Sequence, residues 1–409
     1  MNSWITMNML EDAQYKEITD AEVTEALTDG IRQIGNCLNA FGNAFPYACS
    51  VNRFYEPGPN RNWTAGFYTG EVWLAYENAD LAGSFSKDFF KVKAEAQVRS
   101  FLQRINDKND VDHHDMGFLY SPSCVAAYKL TGSREGRQAA LLAADQLITR
   151  FQPVGKFIQA WGRMGEADNY RFIIDCLLNL PLLYWASEES KDSKYRDIAE
   201  QHIHTAMANV IREDDSTWHT VYMDMNTGKF SHGATCQGYK DGSAWARGQA
   251  WGVYGTAVAY KYTHQKEYLS YFKRVTNYFL QHLPSDLRPF WDLSFGNGME
   301  EQEPRDTSSA AIAACGMLEM SKYLRENGEE DEAVRYTGYA KKLLKALYDH
   351  DRVTDPHMSN GVLLHGTYSK KSPYNTCTPE GVDECVIWGD YYWMEALNRL
   401  HNPDWNIYW

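Results

Sequence analysis

Two kinds of helix-like segment alternate six times along this chain, and the alternation leaves few folds open. The first kind covers residues 19–41, 87–105, 134–151, 192–211, 266–283 and 330–349. These are rich in Lys, Glu, Arg and Ala and carry one apolar stripe, the signature of a helix with one wet face. The first of them opens on Thr19-Asp20-Ala21-Glu22, a helix-start pattern, and places Val23, Leu27, Ile31 and Ile34 near one side. The second kind covers 63–77, 117–130, 172–187, 243–260, 306–324 and 388–400 and is apolar nearly all round, as a buried helix is. The pairs recur at a spacing of roughly 50–80 residues, which implies a repeat architecture. Six helical hairpins closed into a ring give an all-α (α/α)6 barrel, with buried helices inside and amphipathic ones outside.

In such a ring the inner helices all run one way, so their N-terminal ends meet at one mouth. The conspicuous polar and aromatic residues belong to those ends: Trp63, His114, Asp115, Asp175, Arg247, Arg305, Asp306, Trp388 and Asp390. An open α-solenoid used as a scaffold rarely loads one end of every repeat in this way, so an active site at the mouth is expected. Converging helix N-termini also favour an anion there. No Pro/Gly/Ser-rich linker or charge block divides the 409 residues. One barrel domain over 1–409 is expected, with a short N-terminal extension at about 1–18. Two stretches depart from the helical period. Trp218 to Asp224, followed by Asn226-Thr227-Gly228, reads as a β-hairpin. Residues 365–381 read as a long binding loop containing Ser369, Lys370, Lys371 and Ser372.

The net charge of −14 argues against a nucleic-acid partner, because phosphate binding wants a basic face. Local cations can still hold a small anionic ligand. Aromatic residues make up 14 % of the chain, with 13 Trp. Most are expected to fill the core, and a minority to stack on sugar rings. The eight Cys are scattered without a CxxC pair, no signal pattern opens the chain, and no stretch is long enough to span a membrane. A reduced, cytoplasmic protein is expected. Neither a GxxxxGK[ST] loop, a strand-linked GxGxxG nor an HExxH is present, and the adjacent His113-His114 point apart. No cofactor and no metal are therefore expected.

Asp115 and Asp175 carry the chemistry in this reading. Each begins an apolar run, where an Asp is either a helix N-cap or a buried acid. The flanks of Asp175, Phe172-Ile173-Ile174 and Cys176-Leu177-Leu178, would raise its pKa and let it hold a proton near neutral pH. Two such carboxylates at one mouth form an acid/base pair for carbohydrate processing. Arg247 and Trp251 are four apart and share a helix face. Two readings stay open for them: an internal cation–π contact, or a cation beside an aromatic floor that recognises a sugar carboxylate.

With these residues on the page, the chain resembles the unsaturated glucuronyl hydrolase family. The resemblance rests on seven pieces in order: 63–70 with 73–77, 113–118, 159–162, 173–179, 245–251, 304–308 and 387–392. It implies the (α/α)6 barrel again. It also implies hydrolysis of unsaturated oligosaccharides, such as chondroitin, hyaluronan or heparin disaccharides, that carry a terminal 4-deoxy uronic acid with a C4=C5 double bond. By the resemblance Asp175 is the general acid/base and Asp115 the second essential carboxylate. Trp63, His114, Trp161, His219, Gln237, Arg247 and Trp251 match pocket positions. Some members carry a Ser-x-x-Ser-x-Lys loop that favours sulfated substrates; Ser369 and Ser372 match it, but Tyr374 holds the Lys position. That leaves Lys370 or Lys371 as a substitute cation and implies a modest sulfate preference or none. A related hydrolase of unsaturated rhamnogalacturonan fragments and a non-catalytic sugar-binding barrel are the competing readings.

Overall fold

The computed structural model describes residues 4–296 and 302–409. Its helices fall into two concentric layers. The outer layer is Asp20–Phe41, Lys87–Asn106, Arg134–Ile148, Lys194–Val210, Lys266–Gln281 and Glu330–His350. The inner layer is Ala65–Glu77, a composite segment over 116–131, Pro181–Ser190, Ala246–Thr263, Thr307–Glu326 and Ile387–His401. Inner elements pack on their ring neighbours, Ala246–Thr263 meeting the preceding element through its turn Ile174–Leu178, and Ile387–His401 packs on Ala65–Glu77 to close the ring. Each inner element is also backed by an outer helix. The expected (α/α)6 barrel is what the chain forms.

The outer helices start where side chains satisfy the free N–H groups of the first turn. Thr19 and Glu22 form a reciprocal capping box, and Ser86 and Ser133 accept from Phe89 N and Gly136 N. The inner helices approach one another closely through glycine. A Cβ on Gly66 would lie 2.1 Å from the carbonyl oxygen of Phe118, so the first two inner elements meet backbone to backbone there.

Two inner segments depart from simple helices. Within 117–130 the turn Ser121–Val125 is a π-helix, because Pro122 has no N–H to donate and its ring displaces the preceding turn. Within 172–187 the chain runs as a strand, Arg171–Ile173, then a 3-10 turn, Ile174–Leu178, and only then the helix Pro181–Ser190. A short apolar run does not by itself distinguish a strand from a buried helix. Here the hairpin Thr220–Met223 and Phe230–Ala234 supplies the missing backbone partners, with Arg171 opposite Tyr222 and Ile173 opposite Thr220. The hairpin was expected; its turn is held by Asp224, whose Oδ1 accepts from Asn226 N and Thr227 N, and by Gly228 at φ 66°. The stretch 365–381 is not a plain loop: Gly366–Ser369 pairs with Glu380–Glu384.

The end of the bore opposite these sheets is filled by the C-terminal residues. Trp409 is 1 % exposed and donates its Nε1 to Glu395, and Trp405 donates to Glu77. Arg399 bridges Glu319 at 2.6 Å and Glu395 at 3.0 Å, an ion cluster buried in the same end. All eight cysteines are free. No helix among the described residues is long and apolar enough to cross a membrane.

Candidate active site

At the mouth formed by the N-terminal ends of the inner helices lies a cavity of about 600 Å³. Trp63, Asp115, Trp161, Asp175, His219, Gln237, Arg247, Trp251 and Ser369 all line it, from five separate parts of the sequence. The two carboxylates come from neighbouring inner elements. Asp115 ends the approach to the helix Met116–Tyr120 without capping it by a side-chain hydrogen bond, so the N-cap reading of this residue does not hold. Asp175 sits in the 3-10 turn that follows the Arg171–Ile173 strand. Asn179 joins the two: its Oδ1 accepts from Phe118 N at 2.8 Å, and its Nδ2 donates to the Asp175 carbonyl at 3.2 Å.

His114 stands between the carboxylates. Its Nε2 is 3.3 Å from Asp115 Oδ1 and 3.4 Å from Asp175 Oδ1. Burial holds its pKa down at about 4, so the ring is neutral near pH 7. The two acids are pushed apart. Burial and then the charge of Asp115 raise Asp175 well above the usual carboxylate range. Burial works against the ionised form of Asp115 too. His114, His113 and Asn179 outweigh it, and its pKa is lowered. The two shifts run in opposite directions, toward a held proton on Asp175 and a held charge on Asp115, the split an acid/base pair needs. His114, Asp115 and Asp175 also bring three ligand-type atoms within 4.8 Å of one another, a spacing compatible with a cation. Both ring nitrogens of His114 and Oδ1 of Asp175 are buried without a hydrogen-bond partner among the described residues.

The remaining walls divide by chemistry. Trp63 stacks on Trp388 at 5.1 Å and donates its Nε1 to the Tyr368 hydroxyl. Trp251 lies over Phe118 at 5.2 Å and forms part of the floor. Trp161 is 42 % exposed and marks the rim. His219 faces Gln237 at 3.3 Å, and burial drives its pKa down to about 3, so it too is neutral. Arg247 is buried, paired with Asp306 at 3.2 Å, and donates to the carbonyls of Thr367 and Tyr368. Its guanidinium lies over Trp245 at 4.5 Å, Trp388 at 4.7 Å and, further off, Tyr368 at 5.8 Å, so its internal aromatic partners are these rings.

The 365–381 segment gives a divided result. Ser369 reaches the cavity but donates its hydroxyl to the Thr378 carbonyl. Ser372 is absent from the cavity wall. Its Oγ donates to the Tyr239 carbonyl and accepts from Tyr374 N and Asn375 N, so it organises a turn. Lys370 pairs with Glu303 at 2.9 Å and Lys371 donates to the Asn375 carbonyl; neither lines the cavity. The sequence reading missed Arg171, Tyr222, Trp245 and Tyr368, all of which line the cavity. Arg171 was detectable once residues 171–173 were read as a strand, because alternation then puts it on the same face as Ile173, opposite Tyr222.

Comparison with known proteins agrees with this geometry. The model of Glycosyl Hydrolase Family 88 matches residues 43–399. The chain is 46 % identical over 393 residues to an unsaturated chondroitin disaccharide hydrolase of Streptococcus pneumoniae, covering 96 % of this chain and 95 % of that protein. It superposes on the crystal structure of unsaturated glucuronyl hydrolase from Streptococcus agalactiae with a TM-score of 0.89, at 43 % identity, covering 96 % of this chain and 95 % of that one. A mutant of the S. agalactiae enzyme solved in complex with dGlcA-GalNAc6S matches with a TM-score of 0.83 at 39 % identity, covering 100 % and 98 % of the two chains. This chain belongs to Glycosyl Hydrolase Family 88, among the unsaturated glucuronyl hydrolases.

Proposed function

We propose that the chain removes the terminal 4-deoxy, C4=C5 unsaturated uronic acid from chondroitin-type disaccharides, with Asp175 as the proton donor. The observation that carries the assignment is the placing of Asp115 and Asp175 on one cavity, either side of His114, with burial raising Asp175 well above the usual carboxylate range while Asp115 is lowered. In the unsaturated ring the double bond and the ring oxygen form a vinyl ether, electron-rich at C4. Asp175 delivers its proton to C4, and C5 takes on oxocarbenium character. The charge of Asp115 lies close enough to support that cation and to accept hydrogen bonds from the ring hydroxyls. Water adds at C5 and gives its proton to the Asp175 carboxylate, which restores the acid. The resulting C5 hemiketal opens the ring, C1 becomes a hemiacetal, and the next sugar leaves as an alcohol. Anomeric attack by a carboxylate, the usual two-acid scheme, is not needed.

Trp63 and Trp251 provide aromatic faces for the ring, and Gln237 with His219 a polar wall. We also place the chain in the reducing cytoplasm, a reading supported by eight free thiols. The experiment follows the vinyl-ether absorbance of an unsaturated chondroitin disaccharide. Wild-type protein is expected to bleach it. Asp175→Asn, correctly folded by circular dichroism, is expected to slow the loss by about 10²–10⁴, the usual contribution of one acid/base group. Turnover within a few-fold of wild type would remove Asp175 from this role, and a sugar-binding protein without catalysis would leave the absorbance unchanged.

A further inference from the structure

Two arginines line the cavity, and they stand in different electrostatic states. Arg247 is already compensated by Asp306 and two carbonyls. Arg171 forms no ion pair among the described residues. Its Nη1 donates to the Asp168 carbonyl at 3.1 Å and to the Tyr222 hydroxyl at 3.0 Å. Its Nε is buried without a partner, while Nη2 has no partner among the described residues and is not one of the enclosed atoms. The guanidinium lies 5.1 Å from the centre of the Trp161 ring and 5.5 Å from that of Tyr222, which fix its orientation. A cation on the cavity wall, held in place by two aromatic rings and with Nη2 unpartnered among the described residues, is preorganised for an anion.

Its place along the cavity says which anion. Arg171, Ile173, Thr220 and Tyr222 share one face of the sheet, and all four line the cavity. Arg171 is two residues further out along the strand than Ile173, about 7 Å at the usual strand rise. It adjoins the exposed rim residue Trp161, whereas Ile173 is 1 % exposed and leads directly into Asp175. If Asp175 protonates C4 of the terminal ring, the group at Arg171 belongs to the sugar that leaves. Resting on that assignment of Asp175, we propose that Arg171 is a specificity-determining residue that binds a sulfate ester on the leaving sugar.

The test compares wild type, Arg171→Ala, Arg171→Lys and Trp161→Ala. It measures kcat/KM on unsulfated, 4-sulfated and 6-sulfated unsaturated chondroitin disaccharides. The quantity read is the ratio of sulfated to unsulfated kcat/KM, which cancels any general loss shared by both substrates. For at least one sulfated disaccharide, Arg171→Ala is expected to lower this ratio by about tenfold to a hundredfold, the span of one charge-assisted hydrogen bond. Arg171→Lys should recover part of it. Trp161→Ala should lower the ratio less than Arg171→Ala does. An unchanged ratio in Arg171→Ala for both sulfated substrates would overturn the proposal: it would mean that Arg171 only props Trp161 or holds the uronate carboxylate common to all three. Turnover of the unsulfated disaccharide by wild type tests the reaction itself, so failure of the assigned activity shows there and failure of the Arg171 role shows only in the ratio.

Discussion

Asp175 keeps its proton for two reasons, burial first and then the charge of Asp115. The second reason can be removed by itself. Asp175 acts while protonated, so activity is lost as pH rises through its raised pKa; Asp115 acts while ionised, so activity is lost as pH falls through its lowered one. The profile of kcat/KM is therefore expected to be bell-shaped. In Asp115→Asn the repulsion that lifts Asp175 is gone, and the alkaline limb of the residual activity should move to lower pH. A limb that stays in place would show that Asp175 is not the group titrating there. The same trio bears on metal dependence. The ring of His114, neutral near pH 7, lies 3.3 Å and 3.4 Å from the two acids, and the reaction proposed above moves only protons and water. Prolonged dialysis against EDTA is expected to leave the rate unchanged, and a rate recovered only on adding zinc or calcium would contradict this. The acids, Trp63 and Arg247 were legible in the sequence because each stands near the start of an apolar run at the same end of a repeat, whereas Trp161, His219 and Gln237 were given only by the family resemblance. The role of Ser372 was not legible, since its hydroxyl is spent on a turn whose partners, Tyr239 and Asn375, are set by tertiary structure.

At the scale of elements, the spacing between the two acids depends on how closely the Met116–Tyr120 helix meets the turn carrying Asp175. Gly117 sets that approach: a Cβ there would fall 2.3 Å from Asn179 Cα and 2.5 Å from its carbonyl oxygen. Those contacts are backbone and cannot rotate away. Gly117→Ala must therefore part the two elements that Asn179 ties together. Overpacking of this kind costs about 1–3 kcal/mol, and a displacement near 1 Å at a reacting pair costs about a hundredfold in rate. Urea unfolding and kcat measured together should show both losses; wild-type kcat in the folded variant would show that the interval between the acids does not depend on this contact. The elements themselves were readable where the helical period was long. They were not readable at 171–178, where β-branched Ile173 and Ile174 and an available hairpin edge favoured a strand and a tight turn over the expected helix.

The whole molecule is a ring open at one end and filled at the other. The six-fold alternation made the ring legible, because a helix with no polar face has nowhere to go but inside. What fills the bore was not legible, since residues 405–409 have no helical period and their role depends on where the ring brings them. Trp409 stacks on Tyr392 with ring centroids 5.9 Å apart and lies edge-on to Phe118 at 6.1 Å, the same Phe118 that packs beneath Trp251 at the cavity floor. One side chain thus supports both the closed end and, through Phe118, the base of the active site. Replacing a buried Trp by Ala removes its contacts and leaves a void, which typically costs about 3–5 kcal/mol. It also removes a hydrogen bond from Glu395, a carboxylate of the buried Arg399 cluster. Trp409→Ala is expected to lower the urea midpoint by a corresponding amount. An unfolding free energy within a few tenths of a kcal/mol of wild type would mean that the inner helices close the bore without this residue.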